Sequence, residues 1–249
     1  MRYSALAADY DGTVATSGRL SEEVEAALER LRSSGRRAVL VTGRTFEALA
    51  SHRPNVELFD CVVLENGGAL YSPSKRQTIL LCPPPSLELA RELEQRGVEP
   101  VLTGQAILTT KRPHEVLVLE AIRDLGLELQ IIFNNDAVMV LPSGVNKGSG
   151  LKAALGELGL SAHEVVGVGN AENDHSFLDI CACAVAVDNA VTAIKAKVDF
   201  CTLGADGNGV AELIDELVTT DLSGRAPRKI EESALLADRR DGTSVNFPP

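Results

Sequence analysis

The chain has 249 residues, of which 45% are hydrophobic and 4% aromatic, with no tryptophan. That is enough for a substantial core of Val, Leu, Ile and Ala, in one large domain or two smaller ones. The formal charge of −11, without a basic stripe, excludes a nucleic-acid partner. It leaves an anionic substrate open, because one Lys and a bound cation can supply local positive charge. No apolar run is long enough to cross a bilayer, and Met1-Arg2-Tyr3 does not begin a signal peptide; a cytoplasmic protein with no membrane partner is expected. The cysteines Cys61, Cys82, Cys181, Cys183 and Cys201 are odd in number and several lie in apolar runs, which predicts buried, reduced thiols. The histidines His52, His114, His163 and His175 form no metal-ligand cluster.

Residues 3 to 9 read as a first, buried strand, and Asp9-Tyr10-Asp11-Gly12-Thr13 leaves its carboxyl end. Two carboxylates two residues apart can share labour, one attacking phosphorus and the other moving the proton. Gly12 lets the backbone approach a ligand closely. Asp and Gly also serve ordinary turns, so this match needs partners at later strand ends. Ser21 to Ser33 is predicted helical, with Ser21 as N-cap and Glu22 and Glu23 in the first turn. Residues 37 to 42 form the second strand and run into Thr42-Gly43-Arg44, where Thr42 offers a hydroxyl and Gly43 a bare N–H to a phosphate oxygen. Asp60 to Leu64 is another strand, and residues 69–71 and 78–81 flank a polar turn as a hairpin.

The run Cys82-Pro83-Pro84-Pro85-Ser86 breaks this rhythm and links to an insert. The insert reads as a helix over 86–95, strand-like material over 101–110, a helix over 114–125, and strands near 127–133 and 137–141. That is a small α+β unit, and Pro142-Ser143-Gly144 returns the chain to the core. Lys147 then sits in a small-residue loop ahead of a helix over 149–158, where its ammonium can neutralise phosphate charge and hold a nucleophile. A strand over 164–169 runs into Asn170-Ala171-Glu172-Asn173-Asp174, an acidic loop suited to a cation or to capping the next helix. A strand over 184–187, a helix over 191–197, a short strand over 200–203 and a helix over 210–217 complete the alternation, which argues for a largely parallel sheet. Beyond Asp221 the alternation stops; Asp241-Gly242 is placed to turn a hairpin between residues 235–236 and 245–247.

In order and spacing, four stretches resemble the motifs of the haloacid dehalogenase superfamily of phosphohydrolases: Asp9 to Thr13, Thr42 to Arg44, Lys147, and Gly169 to Asp174. The long gap from Arg44 to Lys147 and the segment Glu65-Asn66-Gly67-Gly68-Ala69 resemble its type IIB, Cof-like group, whose cap is inserted between the second and third motifs. The resemblance covers residues 3 to 218. It implies a Rossmann-like α/β/α core over 1–83 and 142–220, an α+β cap over 84–141 that acts as a lid and chooses the leaving group, and a tail over 221–249. Longer members of the group carry an ATPase-like domain at that end, so a further domain or partner is expected there.

The implied chemistry is magnesium-dependent hydrolysis of a small phosphorylated metabolite, such as a sugar phosphate or phosphoglycolate. Asp9 is the implied nucleophile and Asp11 the acid–base. Gly12, Thr42, Gly43, Lys147 and Asn173 would hold phosphate, and Asp9, Asp11, Asn170 and Asp174 the Mg2+. One position departs from the pattern: Asn170 stands where the group usually has Asp, which removes a full negative charge. Three readings stay open: a phosphatase, a phosphosugar mutase, and a phosphate-binding regulatory domain that has lost catalysis.

Overall fold

A computed structural model describes residues 1–52 and 54–225. The elements are β1 (Ala5–Asp9), α1 (Glu22–Ser33), β2 (Arg37–Val41), α2 (Phe46–Ala50), β3 (Cys61–Leu64), β4 (Ala69–Ser72), β5 (Gln77–Leu80), α3 (Leu87–Gln95), β6 (Leu102–Thr103), β7 (Leu108–Lys111), α4 (Glu115–Asp124), β8 (Leu129–Asn134), β9 (Ala137–Pro142), α5 (Lys147–Leu158), β10 (Val165–Gly169), α6 (His175–Leu178), β11 (Cys183–Ala186), α7 (Thr192–Lys195), β12 (Phe200–Cys201) and α8 (Asp206–Thr220).

The main sheet has the order β12-β11-β10-β1-β2-β3-β4-β5. It is parallel from β12 to β3 and antiparallel at β4 and β5. All five residues of β1 are buried, as expected of a strand covered on both faces. Successive side chains point to opposite faces, and they separate accordingly. Leu6 and Ala8 join a core with Val24, Leu28 and Leu31 of α1 and Val210, Ile214 and Leu217 of α8. Ala5 and Ala7 join a second core with Leu151 and Leu155 of α5, Phe177 of α6 and Ile194 of α7. The result is the α/β/α sandwich. Ser21 caps α1 through its side chain, which accepts from the Val24 N–H. The hairpin expected near residue 235 lies outside the described residues.

The chain leaves β1 toward β2 on one side and later returns to β10 on the other. The crevice at the carboxyl end of β1 is therefore a topological switch point, where open α/β sheets bind ligands. A second sheet, β6-β7-β9-β8, is antiparallel and covers its own core of Leu89, Leu93, Val118, Ile122, Val138 and Val140 under α3 and α4. Two expectations change here. The strand-like stretch over 101–110 is a hairpin, because Gly104 and its neighbours turn the chain between β6 and β7. Lys147 is the first residue of α5, not a loop residue: Asn146 caps the helix ahead of it, accepting from Ser149 N–H.

α5 can bring Lys147 down to the sheet because small residues line its first turn. A Cβ on Gly150 would stand 2.4 Å from Val63 Cγ1 and 2.6 Å from Gly67 Cα. Replacing a helical Gly by Ala ordinarily adds about 1 kcal/mol of helix propensity. Overpacking costs about 1–3 kcal/mol, so packing should win. Gly150→Ala is expected to lower the thermal midpoint in a calorimetric scan; an increase would show that α5 has room to move.

Candidate active site

Asp9, at the end of β1, is only 4% exposed and Asp174 is fully buried. Between them lies Lys147, 1% exposed, whose Nζ donates to Asp9 Oδ1 and Asp174 Oδ1 at 2.6 Å each. Burial pushes Asp9 up to about 7, with the Asp174 carboxylate adding to the effect and Lys147 opposing it. Burial pulls the Lys147 ammonium down, but Asp174 and Asp9 together outweigh this and raise it above the ordinary lysine value. Lys147 is thus a fixed cation. Thr13 Oγ1 donates to Asp9 Oδ2 at 3.0 Å, which orients the carboxylate.

The sequence assigned Asp174 to a cation. In the structure its Oδ1 accepts from Lys147, and its Oδ2 accepts the N–H groups of Asn170 and Ala171 at 2.8 and 2.9 Å. Asp174 holds Lys147 and the loop after β10 in place. Gly12 was assigned to phosphate, but its N–H donates to the Ala15 carbonyl at 3.0 Å, because the turn after β1 closes on itself.

Thr42 is buried at the end of β2, and its Oγ1 accepts from the Arg44 N–H at 3.2 Å, so its own O–H hydrogen is left to donate. Gly43 lies directly beneath the second sheet: a Cβ there would be 3.2 Å from Met139 Cε. Asn173 is buried; its Nδ2 donates to Asn66 Oδ1 at 3.1 Å, and its Oδ1 has no partner among the described residues.

Asp11 stands apart from this cluster. Its carboxylate takes a bidentate pair from Arg44, Nε and Nη2 each at 2.7 Å, and its side chain is 42% exposed. Arg44 Nη1 also meets His52 Nδ1 at 2.8 Å, and the guanidinium lies over the Tyr10 ring. The sequence reading left Arg44, Thr13 and Asn66 without roles. All three lie within the motif stretches, but what each touches is set only by the folding of those stretches around the turn after β1.

Among the described residues no group of three His, Cys, Asp or Glu side chains is arranged to hold a metal ion. The oxygen set is nevertheless suited to one. Asn170 follows β10, which pairs with β1, and its side chain lies against Gly12. Asn170 Oδ1 is buried without a hydrogen-bond donor, a state that costs free energy unless a ligand satisfies it. Asp9 and Asn170 thus present oxygens from adjacent strand ends. Glu172 is exposed.

Next to Gly43 and Arg44 opens a cleft of about 580 Å³, floored by residues 43–48 and roofed by Leu102, Thr103, Gln105 and Thr109 of the second sheet. It shares Gly43 and Arg44 with the loop after β2 and does not include Asp9 or Lys147.

Lys147→Ala would leave two buried carboxylates facing each other. Removing one partner of a buried ion pair costs about 3–5 kcal/mol, to be read by urea denaturation at neutral pH. Burial raises Asp9 in the folded state, and Lys147 opposes this, so without Lys147 the folded chain takes up a proton at Asp9 more readily than the unfolded chain. The deficit should therefore shrink as pH falls. A deficit independent of pH would mean that Asp9 and Asp174 do not depend on Lys147.

Comparison with known proteins agrees with this geometry. The haloacid dehalogenase-like hydrolase family matches residues 6–95 and 120–214. A phosphoglycolate phosphatase of Methanothermobacter thermautotrophicus is 30% identical over 218 residues, covering 84% of this chain and 96% of that protein. One of Halorubrum lacusprofundi is 29% identical over 228 residues, covering 86% and 97%. The fold matches a haloacid dehalogenase-like hydrolase from Bacteroides thetaiotaomicron at TM-score 0.73, with 20% identity over 86% of this chain and 99% of that one. It also matches a subclass IIB sugar phosphatase of the same superfamily at 0.70, with 21% identity over 86% and 98%. The family match spans both faces of the sheet and every residue of the buried cluster, and the chain belongs to the haloacid dehalogenase-like hydrolases.

Proposed function

We propose that this hydrolase is a magnesium-dependent phosphatase that releases phosphate from a small phosphorylated metabolite, of the sugar-phosphate or phosphoglycolate type, through an aspartyl-phosphate on Asp9. The observation that carries the reading is Lys147, fixed at 2.6 Å from Asp9 at the switch point of the sheet. A buried ammonium there suits a carboxylate that must receive a dianionic phosphoryl group. The names of the two relatives support the substrate class.

In this reading Asp9 attacks phosphorus in line, and the bond from phosphorus to the leaving oxygen breaks. Asp11 is a carboxylate while Arg44, which lines the cleft, grips it in a bidentate pair; once that pair opens and Asp11 takes up a proton, it gives the proton to that oxygen, then takes one from the water that cleaves the acyl phosphate. The Thr42 hydroxyl, the Gly43 N–H and Lys147 receive the phosphoryl oxygens, whose charge is spread so widely that positioning carries most of the rate. Asp9, Asn170 and the Asp11 carbonyl would hold magnesium, which supplies further charge neutralisation. The free thiols suit a cytoplasmic setting.

Asp9→Asn should abolish phosphate release while the fold persists. Asp11→Asn should lower kcat by about 100- to 10,000-fold. Both are read in a phosphate-release assay over a panel of phosphomonoesters, and wild-type rates in either variant would reject that residue's role. Asn170 also favours a second reading, a phosphate-binding domain that has lost catalysis, because the metal set lacks one charge. Asn170→Asp separates the two. A further charge near a divalent ion is worth on the order of 1–4 kcal/mol, so calorimetry should show magnesium binding at least about fivefold tighter. Tighter binding with no hydrolysis of any phosphomonoester would favour the binding domain. Unchanged binding would remove Asn170 from the metal site.

A further inference from the structure

Glu65 is a carboxylate that the chemistry above does not use, yet it is only 2% exposed. It lies at the end of β3, in the main sheet. Its Oε2 accepts the N–H groups of Ala106 at 2.7 Å and Ile107 at 3.0 Å, and its Oε1 that of Gln105 at 3.1 Å. All three donors belong to the hairpin between β6 and β7, whose residues roof the cleft. The fit is close: a Cβ on Gly104 would stand 2.6 Å from Glu65 Oε2.

Glu65 and Asn66 both adopt the left-handed backbone region, with φ of 51° and 57°, which is unfavourable for residues other than Gly. That conformation is held from below. Glu65 N–H donates to the Arg44 carbonyl at 2.9 Å, and Asn66 N–H to the Thr42 carbonyl at 3.0 Å. The two side chains then diverge. Glu65 reaches up to the hairpin, and Asn66 meets Asn173 beside the active site.

We infer that Glu65 is a positioning residue. Its carboxylate clasps the 104–107 hairpin onto the loop that carries Thr42 and Arg44, and so fixes the roof of the cleft in which the leaving group sits. The inference rests on the phosphatase reading only for the identity of what occupies the cleft. The clasp is a property of the fold. Three backbone donors on one carboxylate are charge-assisted and strong, and among the described residues no other side-chain charge ties the tip of this hairpin to the main sheet.

The test is amide hydrogen exchange of the full chain combined with kinetics on p-nitrophenyl phosphate. Glu65→Gln keeps the shape but turns an amide N–H₂ toward backbone donors. Exchange at residues 105–107 should rise roughly 10- to 100-fold, the range for losing hydrogen bonds to a charged group, while α3, α4 and β1 keep their protection. KM should rise with it, kcat should stay within about twofold, and inhibition by orthophosphate should not move, because orthophosphate does not need the roof. Gly104→Ala strains the same clasp from the other side and should give the same pattern; it decides the matter if Glu65→Gln does not fold. Unchanged exchange at 105–107 in the folded variant would overturn the clasp. Faster exchange with an unchanged KM would overturn the positioning role. A wild-type protein that hydrolyses no phosphomonoester would sink the phosphatase reading, while the exchange result would still judge the clasp.

Discussion

Lys147 is buried with its ammonium between Asp9 and Asp174, and most of the site follows from that placement. An isolated ammonium at 1% exposure would lose its hydration without return, so it requires both carboxylates. Those carboxylates come from the ends of β1 and of the turn after β10, and Lys147 comes from the first residue of α5. Three segments distant in sequence must therefore converge to a hydrogen-bonding distance. The parallel register of β1 with β10 sets two of them. The close approach of α5 to β3 at Gly150, and to the Ser176 carbonyl of α6 at Gly148, sets the third.

A second constraint joins the two sheets. The main sheet supplies the reacting groups and the smaller sheet supplies the roof. Between them stand Met139 over Gly43 and Glu65 beneath the 104–107 hairpin. The backbone of residues 65 and 66 is tied to the carbonyls of Arg44 and Thr42. The roof, residues 65–66 and the loop that carries Thr42 and Arg44 are thus one hydrogen-bonded chain. Any movement of the smaller sheet has to be absorbed at these contacts or at the linkers over 82–86 and 142–144. Under the proposed phosphatase reading, a cleft built this way would discriminate on the leaving group without altering the buried cluster.

Much of this was legible before the structure. Alternating apolar runs and capped helices indicated a parallel α/β sandwich because a strand covered on both faces is apolar along its buried run, as Ala5–Ala8 is ahead of Asp9. Asp9, Thr42 and Asn170 could be picked out because each follows or ends such a run, and strand ends are where this architecture gathers function; Lys147 could be picked out as a lone cation among small residues ahead of a helix. The misreadings share a cause. Lys147 was assigned to a loop because Gly148 and Gly150 look like breakers, although their smallness serves packing. The hairpin over 102–111 was merged into one strand because its turn, Gly104-Gln105-Ala106, is held by a distant carboxylate as well as by its own residues. Gly12 was assigned to phosphate through the family resemblance, and its N–H is spent on the Ala15 carbonyl.

The sequence by itself determined the layers, the order of the reacting groups along the chain and the missing charge at Asn170, because periodicity and residue identity are local properties. The tertiary structure alone decided which oxygen faces which donor. Arg44 grips Asp11, Asp174 braces Lys147, Asn170 Oδ1 is left unsatisfied and Glu65 reaches the hairpin 40 residues away. Each of these pairings joins residues far apart in the chain, and a carboxylate or amide carries no mark of its partner until the backbone has brought the two together.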